Sequence, residues 1–321
     1  MIDILHGKGL QHPEHRFPDL IPAHEFTWLM VAPRGAGKTN LICNLILRFL
    51  KGYFHKILVC SPSVKSDQKW DLVKKTKGLV RENQKLKKYG QKARDPISGA
   101  TVRVDDPTKE SHVETKFDGS LGEDSFFEDL EECHVRMQKQ KEMIESLYDD
   151  FKTANKFIAD RVLLIVDDCA GKFKMHSYNN AMANFVMRHR HYGTSVIYVT
   201  QSYRAITNAI RTNSVALSIF DVDNEEEKKA IYSENGCSLD YHQWEAIYRH
   251  CTKKPYSFMF INSTLPKGQR IFRNLLTRIV YDPAESGAPE SGATEREDEE
   301  RKRQQPIHSS KSSPHRKTQK K

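Results

Sequence analysis

The segment VAPRGAGKTN (31–40) constrains the fold most strongly, because its pattern belongs between a buried strand and a helix. The apolar run FTWLMVA (26–32) before it predicts the strand, and TNLICNLILRFL (39–50) after it predicts a deeply packed helix. The usual pattern begins with glycine where this chain has Ala32, which is small enough for the turn. Glycines in such a loop let backbone N–H groups point at a phosphate.

This loop predicts a site for ATP with Mg²⁺. Lys38 is expected to reach the β- and γ-phosphates, and the Thr39 hydroxyl is expected to hold Mg²⁺. The helix N-terminus adds a partial positive charge beside the phosphates. The predicted nucleotide-binding residues are Pro33, Arg34, Gly35, Ala36, Gly37, Lys38 and Thr39.

Strand and helix signals alternate along the rest of the chain, which predicts an α/β fold with a central, mainly parallel sheet flanked by helices. Together with the glycine-rich loop, they indicate a P-loop NTPase of the ASCE, RecA-like type. An edge strand is predicted at YSFMFINS (256–263). The other predicted strands are KILVCSPS (56–63), RVLLIVDD (161–168), TSVIYVTQS (194–202) and VALSIFDV (215–222).

The predicted domain runs from 26 to 281, after an N-terminal arm at 1–25 and before a disordered, charged tail at 282–321. A basic and helical insertion is predicted at about 64–160, including a long polar helix at 123–156. The net charge of +9 permits binding to nucleic acid. The basic stretch at 69–94 fits either a pore lining that tracks phosphates or a solvated helical face.

An acidic pair ends one predicted core strand, since RVLLIVDD delivers Asp167 and Asp168 at its carboxyl end. Ligands of such sheets bind at the carboxyl ends of the strands. Asp167 is therefore expected on the Mg²⁺, directly or through water, and Asp168 is expected to act as general base. The alternative is an exposed acidic turn after a strand.

The segment RHRHYGTSVIYVTQS (188–202) carries polar residues at both ends of a buried strand. Gln201 at its tip is expected to bond the attacking water or a γ-oxygen, with Ser202 in a supporting role. Arg188 and Arg190 lie at the opposite end, over 20 Å along the strand at about 3.3 Å per residue. They suit an arginine finger that acts on a neighbouring subunit's nucleotide.

The motifs APRGAGKT, LLIVDD and RHRHYGTSVIYVTQS together resemble the FtsK–HerA superfamily of ring-forming DNA-pumping ATPases. Arg190 in RHYG is similar to the R-x-x-G arrangement of that superfamily, with Arg188 as a second candidate. The segments ILVCSPSVKSDQKW (57–70) and TQSYRAITNAIRTNS (200–214) resemble the poxvirus-type genome-packaging ATPases. Arg211, in the second of these segments, is a further candidate for a basic functional residue. The likeness covers about 26–265.

This resemblance implies an ATP-driven motor that moves double-stranded DNA into a viral capsid. It implies a homo-oligomeric ring, with a capsid or portal protein as a possible further partner. We expect an intracellular, non-secreted protein without a membrane partner, in the host cytoplasm or nucleus or in the virion. Two other classes stay open from the residues alone: a monomeric P-loop nucleotide kinase, and a nucleotide-binding virion or DNA-binding protein without motor activity.

Overall fold

The computed structural model describes most of the predicted domain. The described residues are 20–61, 67–81, 92–94, 101–103, 113–114, 134–135, 137–139, 141–142, 145, 161–168 and 181–281. The predicted arm up to residue 19, most of the predicted insertion and the predicted tail lie outside these residues. All the described residues fall within the unit Met1–Pro283.

The described strands form one large sheet and one small hairpin. The large sheet has the order β11-β10-β9-β8-β1-β7-β6-β2-β5, and β3 pairs with β4 in the hairpin. The strands are β1 (Thr27–Val31), β2 (Lys56–Cys60), β3 (Lys92–Arg94), β4 (Thr101–Arg103), β5 (Val113–Glu114), β6 (Val162–Asp167), β7 (Thr194–Thr200), β8 (Ala216–Ile219), β9 (Met259–Asn262), β10 (Ile271–Arg273) and β11 (Thr277–Ile279).

The sheet is parallel from β8 to β5 and antiparallel from β8 to β11. β7 pairs with β1 on one side and with β6 on the other, so it separates the strand before the glycine-rich loop from the strand that carries the acidic pair. This order is that of the additional-strand class of P-loop proteins, and the predicted fold class is confirmed.

Six described helices flank the sheet or join its strands. Three of them have side-chain caps: Asp67 accepts from one backbone amide of α2, Asn224 accepts from two backbone amides, and Asp240 forms a reciprocal capping box with Gln243. The helices are α1 (Lys38–Asn44), which continues as a π-helical turn (Leu45–Phe49), α2 (Gln68–Lys75), α3 (Ala181–Arg188), α4 (Asn208–Asn213), α5 (Glu225–Asn235) and α6 (Tyr241–Thr252).

Both faces of the sheet are buried, because successive residues of its central strands point to opposite faces. In β1, Leu29 and Val31 belong to the core that contains α5 and α6, whereas Trp28 and Met30 belong to the core that contains α1 and α2. The polar atom of Trp28 is satisfied there, since its Nε1 donates to Ser218 Oγ at 3.0 Å. The double burial explains why these strands are continuous apolar runs.

The strands predicted at 26–32, 56–63, 161–168, 194–202 and 215–222 are confirmed within a few residues of their predicted ends. The edge prediction for 256–263 is wrong, because β9 lies between β8 and β10. The hairpin of β10 and β11 supplies the next strands, and its short strands, such as Ile271–Arg273, carry too little alternation to predict.

Part of the stretch expected to form an insertion packs on the domain. Trp70 and Val73 of α2 are fully buried against α1, while the lysines of this helix face solvent. Leu79 is also buried, and the backbone amide of Arg81 donates to the Phe54 carbonyl at 2.7 Å. The described residues between 134 and 145 are helical, as predicted for 123–156.

Candidate nucleotide site

A cavity of about 710 Å³ opens at the carboxyl ends of β1, β6 and β7. Strand order places it there, because the loops that follow these three neighbouring parallel strands meet at one edge of the sheet. The residues that line it are Arg34, Gly35, Gly37, Lys38, Thr39, Asn40, Asp67, Lys69, Asp167, Asp168, Gln201 and Tyr256.

The glycine-rich loop forms one wall of the cavity. Gly35 and Gly37 have φ values of 81° and 99°, a left-handed conformation that glycine adopts without steric cost. Gly37 caps α1, and its carbonyl accepts from the amide of Leu41 at 3.0 Å. Five of the seven predicted loop residues line the cavity, whereas Pro33 and Ala36 belong to the loop but not to the lining.

The Lys38 ammonium lies over the loop and faces the acidic pair. Its Nζ donates to the Ala32 carbonyl at 3.1 Å. Burial lowers the pKa of Lys38, and the charges of Asp168 and Asp167 oppose that shift. A half-buried cation close to two carboxylates is a suitable partner for the polyanionic end of a nucleotide.

Asp167 is buried at the end of β6, where its Oδ2 accepts a hydrogen bond of 2.9 Å from Ser61 Oγ. Burial raises the pKa of Asp167, and the Ser61 hydrogen bond and the Lys38 charge act in the opposite direction. The sequence prediction missed Ser61. It follows β2, the neighbour of β6, so the rule that sites lie at the carboxyl ends of strands could have found it.

Asp168 and Gln201 meet across the ends of β6 and β7. The Gln201 Nε2 donates to both carboxylate oxygens of Asp168, each at 3.0 Å. Asp168 has a φ of 55°, a left-handed conformation that aspartate tolerates better than most residues, and its amide donates to the Val199 carbonyl at 3.2 Å. The backbone thus turns the Asp168 carboxylate towards the tip of β7.

Two supporting candidates from the sequence are bound elsewhere. Ser202 Oγ donates to Glu227 of α5 at 2.6 Å, so its hydroxyl points away from the cavity. Arg211 pairs with Glu234 at 2.9 Å and its Nη1 donates to the Ile206 carbonyl at 2.6 Å. Both residues therefore attach the segment after Gln201 to α5 and α4.

Arg188 and Arg190 lie at the amino-terminal end of β7, as predicted, and do not line the cavity. Both side chains are exposed, and neither has an ion-pair partner within the described parts of the chain. The buried His189 between them anchors their turn: one ring nitrogen bonds the Thr194 carbonyl at 2.6 Å, and the other bonds Thr27 Oγ1 at 3.0 Å. The turn presents the two arginines to solvent on a fixed base.

Four further lining residues were not predicted: Asn40, Asp67, Lys69 and Tyr256. Asp67 caps α2 by accepting from the Lys69 amide at 3.0 Å, and this cap brings both residues to the cavity. A cap signal before an amphipathic helix was present in the sequence, but which wall it would join depends on how α2 packs. Tyr256 lies in the loop between α6 and β9.

The donor set fits Mg²⁺ bound together with a nucleotide. Thr39 offers a hydroxyl and Asp167 a carboxylate, both hard oxygen ligands on the cavity wall. Within the described parts of the chain, no cluster of three or more histidine, cysteine, aspartate or glutamate residues could hold a metal ion alone. One carboxylate, one hydroxyl and phosphate oxygens are the combination that Mg²⁺ usually accepts in nucleotide sites.

The glycine-rich loop between β1 and α1, the acidic end of β6 and the inserted β7 define the class of the protein, which is a P-loop NTPase. A family model described as Poxvirus A32 protein matches residues 126–269. The match spans the acidic pair, the two arginines and Gln201 but not the glycine-rich loop. It confirms the resemblance to poxvirus-type ATPases, and this likeness supports ATPase activity.

The solved structures to which this chain is similar share little sequence with it. The genome-packaging NTPase B204 from Sulfolobus turreted icosahedral virus 2, in complex with ATP-γS, is 18% identical with a TM-score of 0.44, covering 78% of this chain and 96% of its own. The DNA-packaging ATPase B204 from Sulfolobus turreted icosahedral virus is 17% identical with a TM-score of 0.46, covering 77% and 96%.

The conjugation coupling protein TcpA of pCW3, in monomer form with ATPγS, is 10% identical with a TM-score of 0.41, covering 83% of this chain and 63% of its own. No curated protein matches this sequence. Across the described residues, none of the helices has both the length and the apolar character needed to span a membrane.

Proposed function

We propose that the protein is an ATP-driven translocase of double-stranded DNA that packages a viral genome into a capsid. One observation carries the enzymatic part: Lys38, Asp167, Asp168 and Gln201 line the same cavity, at the edge of the sheet where the glycine-rich loop lies. ATP hydrolysis uses a cation that binds phosphate, a carboxylate beside the metal and a second group that activates water. Lys38, Asp167 and Asp168 supply these groups, and Asp168 is hydrogen-bonded to the Gln201 amide.

Each residue has a distinct role in this proposal. Lys38 and the loop amides hold the phosphates, and Thr39 and Asp167 would hold Mg²⁺, which would neutralise charge on the phosphates. Asp168 takes the proton of the attacking water. The Gln201 amide donates to the Asp168 carboxylate and so orients that carboxylate. Ser61 keeps the Asp167 carboxylate in place by its hydrogen bond.

The arginines support a ring. Arg190, with Arg188 as the second candidate, is separated from its own cavity by the length of β7, about 20 Å at 3.3 Å per residue. An exposed guanidinium at that end can reach a nucleotide only in another subunit. Arg190 thus acts in trans on the neighbouring subunit's ATP, which makes a homo-oligomeric ring part of the proposal.

The DNA substrate and the capsid rest on the family likeness and on charge. The family model that matches is that of a poxvirus protein, and the net charge of +9 favours a polyanion. Basic runs with few aromatic residues suit phosphate contacts better than base recognition. Binding is therefore electrostatic and independent of sequence, with a capsid or portal protein as the second partner, at a virus assembly site in the host cell or in the virion.

The deciding experiment measures ATP hydrolysis by the full chain with and without double-stranded DNA, at several salt concentrations. A translocase hydrolyses ATP faster with DNA, and the stimulation weakens steeply as salt rises. Hydrolysis that ignores DNA would contradict the proposal and favour a nucleotide kinase. Nucleotide binding with negligible hydrolysis in either condition would instead favour a virion protein without motor activity.

A further inference from the structure

A tyrosine occupies a turn position that normally suits glycine. In the turn Lys254–Ser257, the Ser257 amide donates to the Lys254 carbonyl at 3.0 Å, with Pro255 and Tyr256 as the central residues. Tyr256 has a φ of 63°. Proline at the first central position and a positive φ at the second are the pattern of a type II turn, whose second position favours glycine. Tyr256 therefore has a strained backbone conformation at a position where glycine would be unstrained.

The side chain that this turn presents is an exposed aromatic ring on the cavity wall. Tyr256 is 71% exposed, although it is large and mostly apolar. It is the one aromatic side chain among the described residues that line the cavity. Its Cδ1 lies 3.2 Å from the point where a side-chain carbon on Gly37 would stand, so the ring lies directly beside the glycine-rich loop.

Sheet topology places this ring on the side of the loop away from the acidic pair. β9 is antiparallel to β8, and its first residue, Met259, pairs with Ile219, the last residue of β8. The loop that carries Tyr256 therefore arrives at the same edge as the carboxyl end of β1. β8 lies on one side of β1, whereas β7 and β6, with Gln201 and Asp168, lie on the other.

A nucleoside triphosphate has its reacting γ-phosphate at one end and its base at the other. If the γ-phosphate lies at Asp168 and Gln201 and the chain of phosphates follows the loop, the nucleoside extends past Gly37 towards β8 and β9. Aromatic rings stack on nucleobases, and the stack is stabilised because the facing surfaces of the ring and the base are removed from water. We propose that the Tyr256 ring stacks on the base of the bound nucleotide and makes the site prefer purine nucleoside triphosphates. This inference rests on the nucleotide site of the proposed function.

The test separates contacts to the base from contacts to the phosphates. Calorimetric titrations of the full chain with ATP, UTP and inorganic tripolyphosphate compare the wild type with three variants. Tyr256→Gly removes the ring and suits the positive φ, so it should fold well. Tyr256→Phe keeps the ring, and Leu276→Ala is a control for an exposed side chain, 73% exposed, outside the cavity.

We expect Tyr256→Gly to raise the Kd for ATP by about 5- to 100-fold, the range measured for loss of base stacking, with tripolyphosphate binding unchanged. The preference for ATP over UTP should shrink in the same variant, because a purine offers the larger stacking surface. Tyr256→Phe and Leu276→Ala should bind all three ligands as the wild type does.

Three results would overturn the inference: wild-type affinity for ATP in Tyr256→Gly, an equal loss for ATP and tripolyphosphate, or a loss in Tyr256→Phe as large as in Tyr256→Gly. The second would make the ring part of the phosphate cradle, and the third would assign the effect to the hydroxyl. Wild-type protein that binds neither ATP nor tripolyphosphate would contradict the proposed function itself, which distinguishes the two failures.

Discussion

The Gln201 amide donates to both carboxylate oxygens of Asp168, each at 3.0 Å, across the ends of two neighbouring strands. The register explains the contact, since Asp167 at the end of β6 pairs with Val199 of β7. Asp168 follows this pair by one residue and Gln201 by two, so both leave the sheet at the same place. An amide in this place orients a carboxylate without neutralising its charge. We therefore treat the two residues as one unit in the proposed hydrolysis.

Gln201→Glu tests this unit with almost no change in shape. A second carboxylate at 3.0 Å from Asp168 replaces a donor by a repelling acceptor, so the pair should no longer hold its geometry. We expect the turnover of ATP to fall by about 10²-fold, the scale of one lost donor at a reacting centre. Steady-state hydrolysis assays measure the effect, and Gln269→Glu is the matched control on an exposed site outside the cavity. Unchanged turnover in Gln201→Glu would remove the amide from the mechanism.

Lys38 and Asp168 should separate binding from hydrolysis. Lys38→Ala removes a cation that holds phosphates, so ATP affinity should drop. Asp168→Asn keeps the shape but loses the base, so ATP should still bind while turnover drops by about 10²-fold or more. Calorimetry and hydrolysis assays together distinguish the two, with the exposed Asp71→Asn as control. Normal turnover in Asp168→Asn would exclude it as the base.

Ser61→Ala should change the demand for Mg²⁺. In the wild type, the hydrogen bond from Ser61 positions the Asp167 carboxylate and lowers its pKa, and the variant removes this bond. We expect the Mg²⁺ concentration for half-maximal hydrolysis to rise about tenfold or more, as for other lost partners of metal-binding carboxylates. The affinity of Ser61→Ala for ATP measured without Mg²⁺ should stay unchanged. Ser233→Ala, on the surface of α5, is the control and should show the Mg²⁺ dependence of the wild type. An unaltered Mg²⁺ dependence would leave Ser61 with a packing role only.

Arg190 should act between subunits. Arg190→Ala should bind ATP normally but hydrolyse it by as much as about 10³-fold more slowly. Mixing it with Lys38→Ala creates interfaces where an intact Arg190 faces an intact Lys38 site, so partial activity should return unless one dead site stalls the ring.

Activity that survives Arg190→Ala transfers the role to Arg188. If the double variant Arg188→Ala, Arg190→Ala also hydrolyses ATP at the wild-type rate, the arginines do not act in trans. A stalled ring is recognised by its own signature: trace amounts of Lys38→Ala then abolish the activity of the wild type.

His189 should make stability depend on pH. Burial lowers its pKa in the folded protein, while the unfolded chain keeps the ordinary value of about 6.5. Below that value the unfolded state binds more protons, so stability is complete above it and is lost as pH falls. Each pH unit in this window removes up to about 1.4 kcal/mol from the free energy of unfolding.

Urea unfolding at pH 7.5 and 5.5 measures this loss. His189→Gln cannot titrate, so its unfolding free energy should fall less between the two pH values than that of the wild type. The exposed His242→Gln should behave as the wild type does. Equal losses in His189→Gln and the wild type would show that His189 is not the titrating group.

The local sequence by itself determined the elements of this site. A glycine-rich loop after a buried strand, and aspartates directly after another, are patterns of adjacent residues, so Lys38, Asp167 and Asp168 could be predicted with their strands. The two-sided burial of the sheet likewise follows from apolar runs without alternation. The extent of the apolar run that forms β7 also predicts the separation between Arg190 and Gln201, because each strand residue adds a fixed length.

Only the tertiary structure decided which distant residues complete the cavity. Asp67 reaches it through the packing of α2, and Tyr256 reaches it because β9 is antiparallel to β8. Ser61 lies behind the cavity wall and contacts Asp167 because β2 is the neighbour of β6. The tertiary structure also places Ser202 and Arg211 outside the cavity lining, because Glu227 and Glu234 of α5 bind them. Such contacts join residues far apart in the chain, and their partners are chosen by how whole faces pack, which no short pattern records.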